Sequence, residues 1–147
     1  LEEKLVGFWR KETIHPKVLH SQCIKTVYNF IYRLSGNREV AEILAGRVLL
    51  AHPHDCCKED VLLLKHAWKE FKQCNWYRDY KGEEPIQQSL LSLTPEQRCA
   101  VILRDILGYP YGEMALILNQ TKSEVMHFLS TGRREITKSV KNQVLLA

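Results

Sequence analysis

The sequence lacks the signatures of several large classes of protein. No apolar run approaches the roughly 20 residues that a membrane-spanning helix needs. There is no glycine-rich phosphate loop, no paired-histidine zinc-protease motif and no nucleophile elbow. Acidic residues such as Asp105 and Glu113 have no partner at a spacing that suggests catalysis. We therefore expect a binding protein, not an enzyme, with no cofactor.

Charge and cysteine are also limited. The 21 Lys and Arg residues against 17 Asp and Glu residues give a net charge of +4. This mild excess is compatible with a nucleic-acid partner without requiring one. Five cysteines are an odd number, and the chain has no signal-like apolar start, which favours a reducing cytoplasm over a disulfide framework. Cys23, Cys74 and Cys99 lie on helical stripes and are expected to be small core residues.

Helical periodicity is what the sequence does contain. Apolar residues recur at the spacing of α-helices, and no segment shows the alternation of a strand. The only linker-like stretch is Lys81–Pro85. We predict an all-α protein of two small domains, residues 1–81 and 86–147. The predicted helices upstream of the linker are Leu1–Trp9, Val18–Leu34, Val40–Ala51 and Val61–Tyr80.

The stretch from Leu93 to Ile136 has the pattern of a helix-turn-helix. Thr94–Gln97 is a capping box that opens a helix, which Gly108 ends. A short helix, Glu113–Leu118, is followed by a turn and by a second capping box, Thr121–Glu124, that opens a longer helix. A plain three-helix bundle with a surface turn fits the same pattern, because sequence does not reveal docking geometry.

Two separated parts of the chain resemble one family in the same order. The downstream part is similar to the promoter-binding domain of extracytoplasmic-function sigma factors of bacterial RNA polymerase, at Leu93–Arg98, Leu103–Asp105, Gly108–Ala115 and Ser130–Arg133. The upstream part is similar to the N-terminal domain of that family, at Val27-Tyr28, Leu34–Asn37, Ala41-Glu42, Leu44, Trp68, Asn75, Asp79 and Tyr80. The resemblance covers residues 18–136. It implies a sigma-2-like helical bundle followed by a sigma-4-like helix-turn-helix domain.

The resemblance also implies a function, partners and site residues. It implies a cytoplasmic transcription initiation factor, without membrane insertion, that binds RNA polymerase core enzyme, promoter DNA and an anti-sigma factor. The polymerase-binding residues would be Glu42, Leu44, Arg47 and Val48. The DNA-binding residues would be Lys122, Ser123, Met126, His127, Thr131, Arg133, Arg134 and Lys138, together with Trp76, Tyr77, Arg78 and Lys81 on the promoter-melting helix.

Elementary chemistry agrees with part of this assignment. Arg133, Arg134 and Lys138 place positive charge on one helix, where phosphates can be met. Trp76 and Tyr77 offer stacking surfaces to unpaired bases, although core packing or a place on the helix surface explains them equally well. Trp68 fits a core position better than a contact position.

Departures from the family pattern support an alternative. Ile43 and Gly46 stand where the family has polar residues that face the polymerase, and the recognition helix carries Met126 and His127 where arginines are usual. The five-residue linker reaches only about 17 Å. The alternative is a degenerate sigma-like protein that acts through protein contacts, such as anti-sigma factor capture, without promoter binding. A two-component or quorum-type regulator is a third, more distant interpretation, which the match at the melting helix disfavours.

One further cluster has the composition of a metal site. His52, His54, Cys56 and Cys57 stand within six residues and are possible zinc ligands. Adjacent cysteines are not the usual C-x-x-C spacing, and a polar loop with exposed thiols explains the cluster better. We predict no bound metal.

Overall fold

The computed structural model describes residues 21–52, 60–73 and 84–146, and within these ranges all regular structure is helical. The predicted all-α fold is therefore confirmed for the described part of the chain. The predicted helix Leu1–Trp9 lies outside it, as do residues 53–59 and 74–83. None of the described helices is both long and apolar enough to cross a membrane. The helices are α1 Ser21–Ser35, α2 Arg38–Ala51, α3 Asp60–Gln73, α4 Pro85–Leu91, α5 Pro95–Val101, α6 Tyr111–Leu118 and α7 Lys122–Leu146, with a π-helical turn Ile102–Ile106 after α5.

The first three helices bury the apolar stripes predicted for them. Gly36 ends α1 with a φ of 69°, in the left-handed region that favours glycine. The Asn37 side chain then caps α2 by accepting a hydrogen bond from the Val40 amide at 3.0 Å. The residues that recur at helical spacing in these helices and are buried are Cys23, Ile24, Val27, Phe30, Ile31, Leu34, Ala41, Leu44, Val48, Leu49, Leu64, Trp68 and Phe71.

Two of the predicted core cysteines are buried as expected. Cys23 and Cys99 are buried in the core, and Cys74 lies outside the described residues. Burial raises the pKa of the Cys99 thiol well above its usual value, and the nearby Glu96 carboxylate raises it further. The Cys99 thiol therefore stays protonated and is chemically inert at neutral pH.

Both predicted capping boxes are confirmed. The Gln97 amide donates to Thr94 Oγ1 at 3.3 Å, and the Thr94 amide donates to Gln97 Oε1 at 3.2 Å. The Glu124 amide donates to Thr121 Oγ1 at 3.2 Å, and the Thr121 amide donates to the Glu124 carboxylate at 2.9 Å. Between them, Asn119 ends α6 in the left-handed region with a φ of 52°. These local interactions produce the helix, turn and helix that the sequence predicted.

Leu103, Ile106 and Leu107 stand at helical spacing, which predicts one apolar stripe, and this prediction is wrong at Ile106. The Leu107 amide donates to the Ile102 carbonyl five residues back at 2.9 Å, which is the hydrogen-bond pattern of a π-helix. The extra residue in this turn rotates the next side chains relative to their directions in an α-helix. As a result Leu103 is fully buried, whereas Ile106 is 40% exposed.

One buried cation joins the two predicted domains. Arg98 of α5 is only 4% exposed. Its guanidinium donates to the Leu34 carbonyl at 2.6 Å, and to the carbonyls of Leu90, Leu91 and Leu93 at 2.9, 3.1 and 3.0 Å. Leu34 lies in the last turn of α1, where backbone carbonyls lack helical partners. Arg98 therefore satisfies the carboxyl end of α1 and the end of α4 together.

Further contacts hold the same two units together. Gln87 of α4 is buried, and its Nε2 donates to the Arg33 carbonyl at 2.9 Å. Lys72 of α3 forms an ion pair with Glu96 of α5 at 3.0 Å. The buried apolar side chains form one cluster to which both units contribute. The two units therefore pack against each other through both polar and apolar contacts.

Replacing Arg98 should test how much this packing depends on the buried guanidinium. We predict that Arg98→Met lowers the free energy of unfolding by about 3 kcal/mol, because buried carbonyls lose their donors. Arg134→Met changes an exposed arginine of α7 and should shift that free energy by less than about 0.5 kcal/mol. Urea denaturation of the two variants measures both values. Equal stability of the two variants would contradict the role assigned to Arg98.

Tyr109, in the turn before α6, lies close to the amino-terminal end of α3. Burial, followed by the nearby Asp60 and Glu113 carboxylates and the Cys23 thiol, raises the pKa of Tyr109 to about 12. The folded protein therefore holds this proton to higher pH than the unfolded chain, whose ordinary value is 10.0. Stability from this source is complete below pH 10 and is lost as the pH rises towards about 12.

The variant Tyr109→Phe isolates that effect. Phenylalanine keeps the ring but cannot ionise, so we expect a smaller loss of stability above pH 10 than in the parent chain. Urea unfolding across the alkaline range measures this difference. The same pH dependence in both proteins would show that Tyr109 does not titrate as described.

Candidate nucleic-acid interface

The longest helix, α7, has one inward face and one open face in its amino-terminal half. Val125 and Leu129 point into the core and are buried. Gly132 allows close packing on α5, since a Cβ atom there would lie 3.0 Å from Val101 Cγ2. The opposite face carries the exposed residues Lys122, Ser123, Met126, His127 and Ser130. These positions are where a recognition helix would meet the major groove.

The open face carries little charge apart from Lys122. Glu124 is exposed, but its carboxylate accepts the Thr121 amide in the capping box, so it has a structural role. Met126 is 52% exposed, and the neighbouring Ser123 and His127 are polar side chains. The face therefore offers one apolar side chain among polar ones.

Thr131 is predicted to bind DNA, but its hydroxyl bonds within the protein. It is half-buried, donates to the His127 carbonyl at 2.9 Å, and accepts from Gln97 Nε2 at 3.2 Å. The bond from Gln97 ties α7 to α5, whereas the bond to His127 lies within α7. The Thr131 hydroxyl therefore points to α5, away from the open face.

Two predicted phosphate-contacting cations have carboxylate partners. Arg133 binds Asp105, at the end of the π-helical turn, with Nε–Oδ2 and NH2–Oδ1 distances of 2.9 and 2.5 Å. This pairing raises the pKa of Arg133 above its usual value. Lys138 pairs with Glu135 at 3.3 Å. Arg134 and Lys141 are exposed on the same helix.

The Asp105–Arg133 pair is a feature that sequence reasoning missed. Both residues stand in stretches that resemble the sigma family, but 28 positions separate them. No local pattern predicts a contact across that distance. Arg104, also unassigned, donates to the Tyr109 carbonyl at 3.1 Å and lies over the Tyr111 ring, so it supports the turn before α6.

Comparison with known proteins identifies the part of the chain that carries this helix-turn-helix. Residues 83–136 match the family model described as Sigma-70, region 4. This part of the chain is a sigma-70 region 4 domain. The match confirms, for this part of the chain, the resemblance to sigma factors that the sequence predicted. No curated protein matches the sequence.

A solved structure shares the fold beyond the region 4 domain. It is the sigma factor RpoE from Bartonella quintana, co-crystallised with the anti-sigma factor NepR. The TM-score is 0.70 at 18% sequence identity, over 82% of this chain and 92% of that one. At this identity the likeness establishes the shared fold.

The predicted polymerase-binding residues lie upstream of the region 4 domain, on α2. Leu44 and Val48 are 0% and 1% exposed, so their side chains are part of the core. Burial is the main cause that raises the pKa of Tyr28 above its usual value, and the nearby Glu42 carboxylate raises that pKa further. Glu42 itself is half-buried. Arg47 is exposed. Glu42 and Arg47 are thus the accessible members of this group.

Several predicted site residues lie outside the described residues. They include the possible metal ligands and the predicted promoter-melting residues: His54, Cys56, Cys57, Trp76, Tyr77, Arg78 and Lys81. The remaining possible ligand, His52, stacks on His66 with ring centroids 3.5 Å apart. Within the described ranges, no three His, Cys, Asp or Glu side chains form a cluster that fits a metal ion.

Proposed function

We propose that this chain is a sigma factor of the extracytoplasmic-function type, a binding protein that directs RNA polymerase to promoters. The observation that carries the proposal is the open amino-terminal face of α7 on a region 4 domain. The upstream unit packs on the α5 and α6 side, and Lys122, Ser123 and Met126 stay exposed. The open face is thus available to DNA in the packed arrangement.

The proposal assigns a role to each part of the chain. Residues 86–147 bind the upstream promoter element through α7, and residues 1–81 bind the polymerase and open the downstream element. Glu42 and Arg47 are the accessible side chains that fit the polymerase contact. Trp76, Tyr77, Arg78 and Lys81 supply the stacking and charge that an unpaired strand needs.

The packing of the two units favours a second candidate. The Arg98 and Gln87 hydrogen bonds and the Lys72–Glu96 ion pair hold the units together. A chain held in this way does not reach across two separate promoter elements. It fits a sigma-like protein that captures an anti-sigma factor, and the RpoE structure of similar fold was solved with an anti-sigma factor.

Binding to RNA polymerase core enzyme separates the two candidates. We predict that the full chain co-purifies with core enzyme and that Arg47→Glu weakens this binding, because it reverses an exposed charge on α2. Arg134→Glu changes an exposed arginine on α7 and should leave core binding unchanged while it weakens DNA binding. If the chain does not bind core enzyme but binds an anti-sigma factor, the second candidate function is supported and the first is contradicted.

The Asp105–Arg133 pair allows a sharper test of DNA contact by α7. Asp105→Asn removes the carboxylate that holds Arg133, so the guanidinium can engage a phosphate. We predict tighter non-specific duplex binding, and a plot of log binding constant against log salt that steepens by about one. The double variant Asp105→Asn with Arg133→Ala is the control, and it should lose the gain. Fluorescence anisotropy with a labelled duplex at several salt concentrations measures the binding constant and its salt dependence for each variant. An unchanged slope in Asp105→Asn would show that Arg133 does not contact DNA.

A further inference from the structure

Met126 occupies the middle of the open face of α7. It lies between Ser123 and Ser130 at helical spacing, and it is the only exposed large apolar side chain of α7 between Lys122 and Arg133. The core stripe of this helix is formed by Val125 and Leu129, which are buried. Met126 therefore adds nothing to the core that would explain a large apolar side chain at this position.

The arginines near this face are not placed to read guanine. No arginine precedes Arg133 in α7. Arg133 uses its Nε and one terminal nitrogen on Asp105, so the fork that guanine requires is already occupied. Arg98 is buried, and its guanidinium donates to backbone carbonyls. Apart from Lys122 at its amino-terminal end, the face thus lacks the side-chain chemistry most often used to read a G·C pair.

An apolar side chain finds one apolar feature on the edges of bases in the major groove, the 5-methyl group of thymine. Met126 has an unbranched, adaptable side chain that can fit against such a group. Ser123 and His127 flank it with hydrogen-bonding groups suited to neighbouring base edges or phosphates.

We propose that Met126 is a specificity-determining residue that recognises the methyl group of a thymine in the major groove. The inference rests on the proposed function, since it requires that α7 binds duplex DNA. It adds to the proposed function a preference at one position of the DNA: Met126, at the centre of the open face, selects a T·A pair over a G·C pair.

Replacing thymine by deoxyuridine tests the contact directly, because this change removes the methyl group and keeps every hydrogen-bonding group of the base. A preferred duplex is first selected from a random library with the full chain, alone and bound to core enzyme. Each thymine of that duplex is then replaced singly by deoxyuridine. We expect one replacement to weaken binding of the parent chain about fourfold, the effect of one buried methyl group. The Met126→Ala variant should bind the thymine and deoxyuridine duplexes equally.

Two control variants separate this contact from general effects on α7. Met126→Leu keeps an apolar side chain and should remain sensitive to the replacement. Val140→Ala changes another exposed apolar residue of α7, about 21 Å further along the helix, and should also keep the sensitivity of the parent chain. Because Met126 and Val140 are both exposed, these variants should keep the stability of the parent chain in urea.

The possible results distinguish the inference from the function on which it rests. Salt-dependent binding of a selected duplex with no sensitivity to deoxyuridine at any position would overturn the thymine contact and leave DNA binding in place. Sensitivity that persists in Met126→Ala would assign the methyl group to another residue and overturn the inference. If no duplex is selected and no salt-dependent binding is seen, the proposed promoter binding fails and the inference fails with it.

Discussion

The hydrogen bonds of the Arg98 guanidinium are the interaction on which the arrangement of this protein depends. The carboxyl ends of α1 and α4 and the turn before α5 meet around this side chain. Each of these backbone segments brings carbonyl groups that cannot be buried without a donor. A guanidinium has five N–H groups in a rigid plane, and so it can serve several carbonyls from one position. A lysine at this position has fewer donors on a more flexible stem and would leave some of these carbonyls unsatisfied.

The other contacts between the two units depend on that geometry. With the end of α1 held against α4, the Gly36 position lies beside Leu91, so close that a Cβ atom there would be 2.7 Å from the leucine Cδ1. Gln87 then reaches the Arg33 carbonyl from the same side. Glycine at position 36 therefore serves two needs at once, the left-handed end of α1 and the close approach of α4. The open face of α7 stays exposed in this packing.

Sequence reasoning succeeded where the physics is local. Capping boxes, helix ends and inward stripes depend on residues within a few positions of each other, and those at Thr94 and Thr121 are confirmed. It failed at Ile106, because a single π-helical turn shifts the register without any residue type that signals it. It also missed the pairing of Asp105 with Arg133 and of Gln97 with Thr131, since these contacts require knowledge of how α7 lies on α5. The predicted DNA-binding residues between Lys122 and Lys138 share α7, but only packing decides which side each one faces.

The ion pairs of α7 influence how strongly, and how specifically, the proposed sigma factor would bind DNA. Phosphate contacts supply much of the binding energy for DNA and carry no sequence information. In α7 two of the cations suited to that role, Arg133 and Lys138, are already partly neutralised by Asp105 and Glu135. These two ion pairs reduce the attraction of the helix for duplex DNA, while Ser123, Met126 and His127 stay exposed. A region 4 domain of this kind needs a second anchor to hold it on DNA, and on the proposed function RNA polymerase provides it. Under the proposed function, the reduced attraction by charge also limits binding to DNA outside promoters, so that the chain would select its site mainly as part of the larger complex.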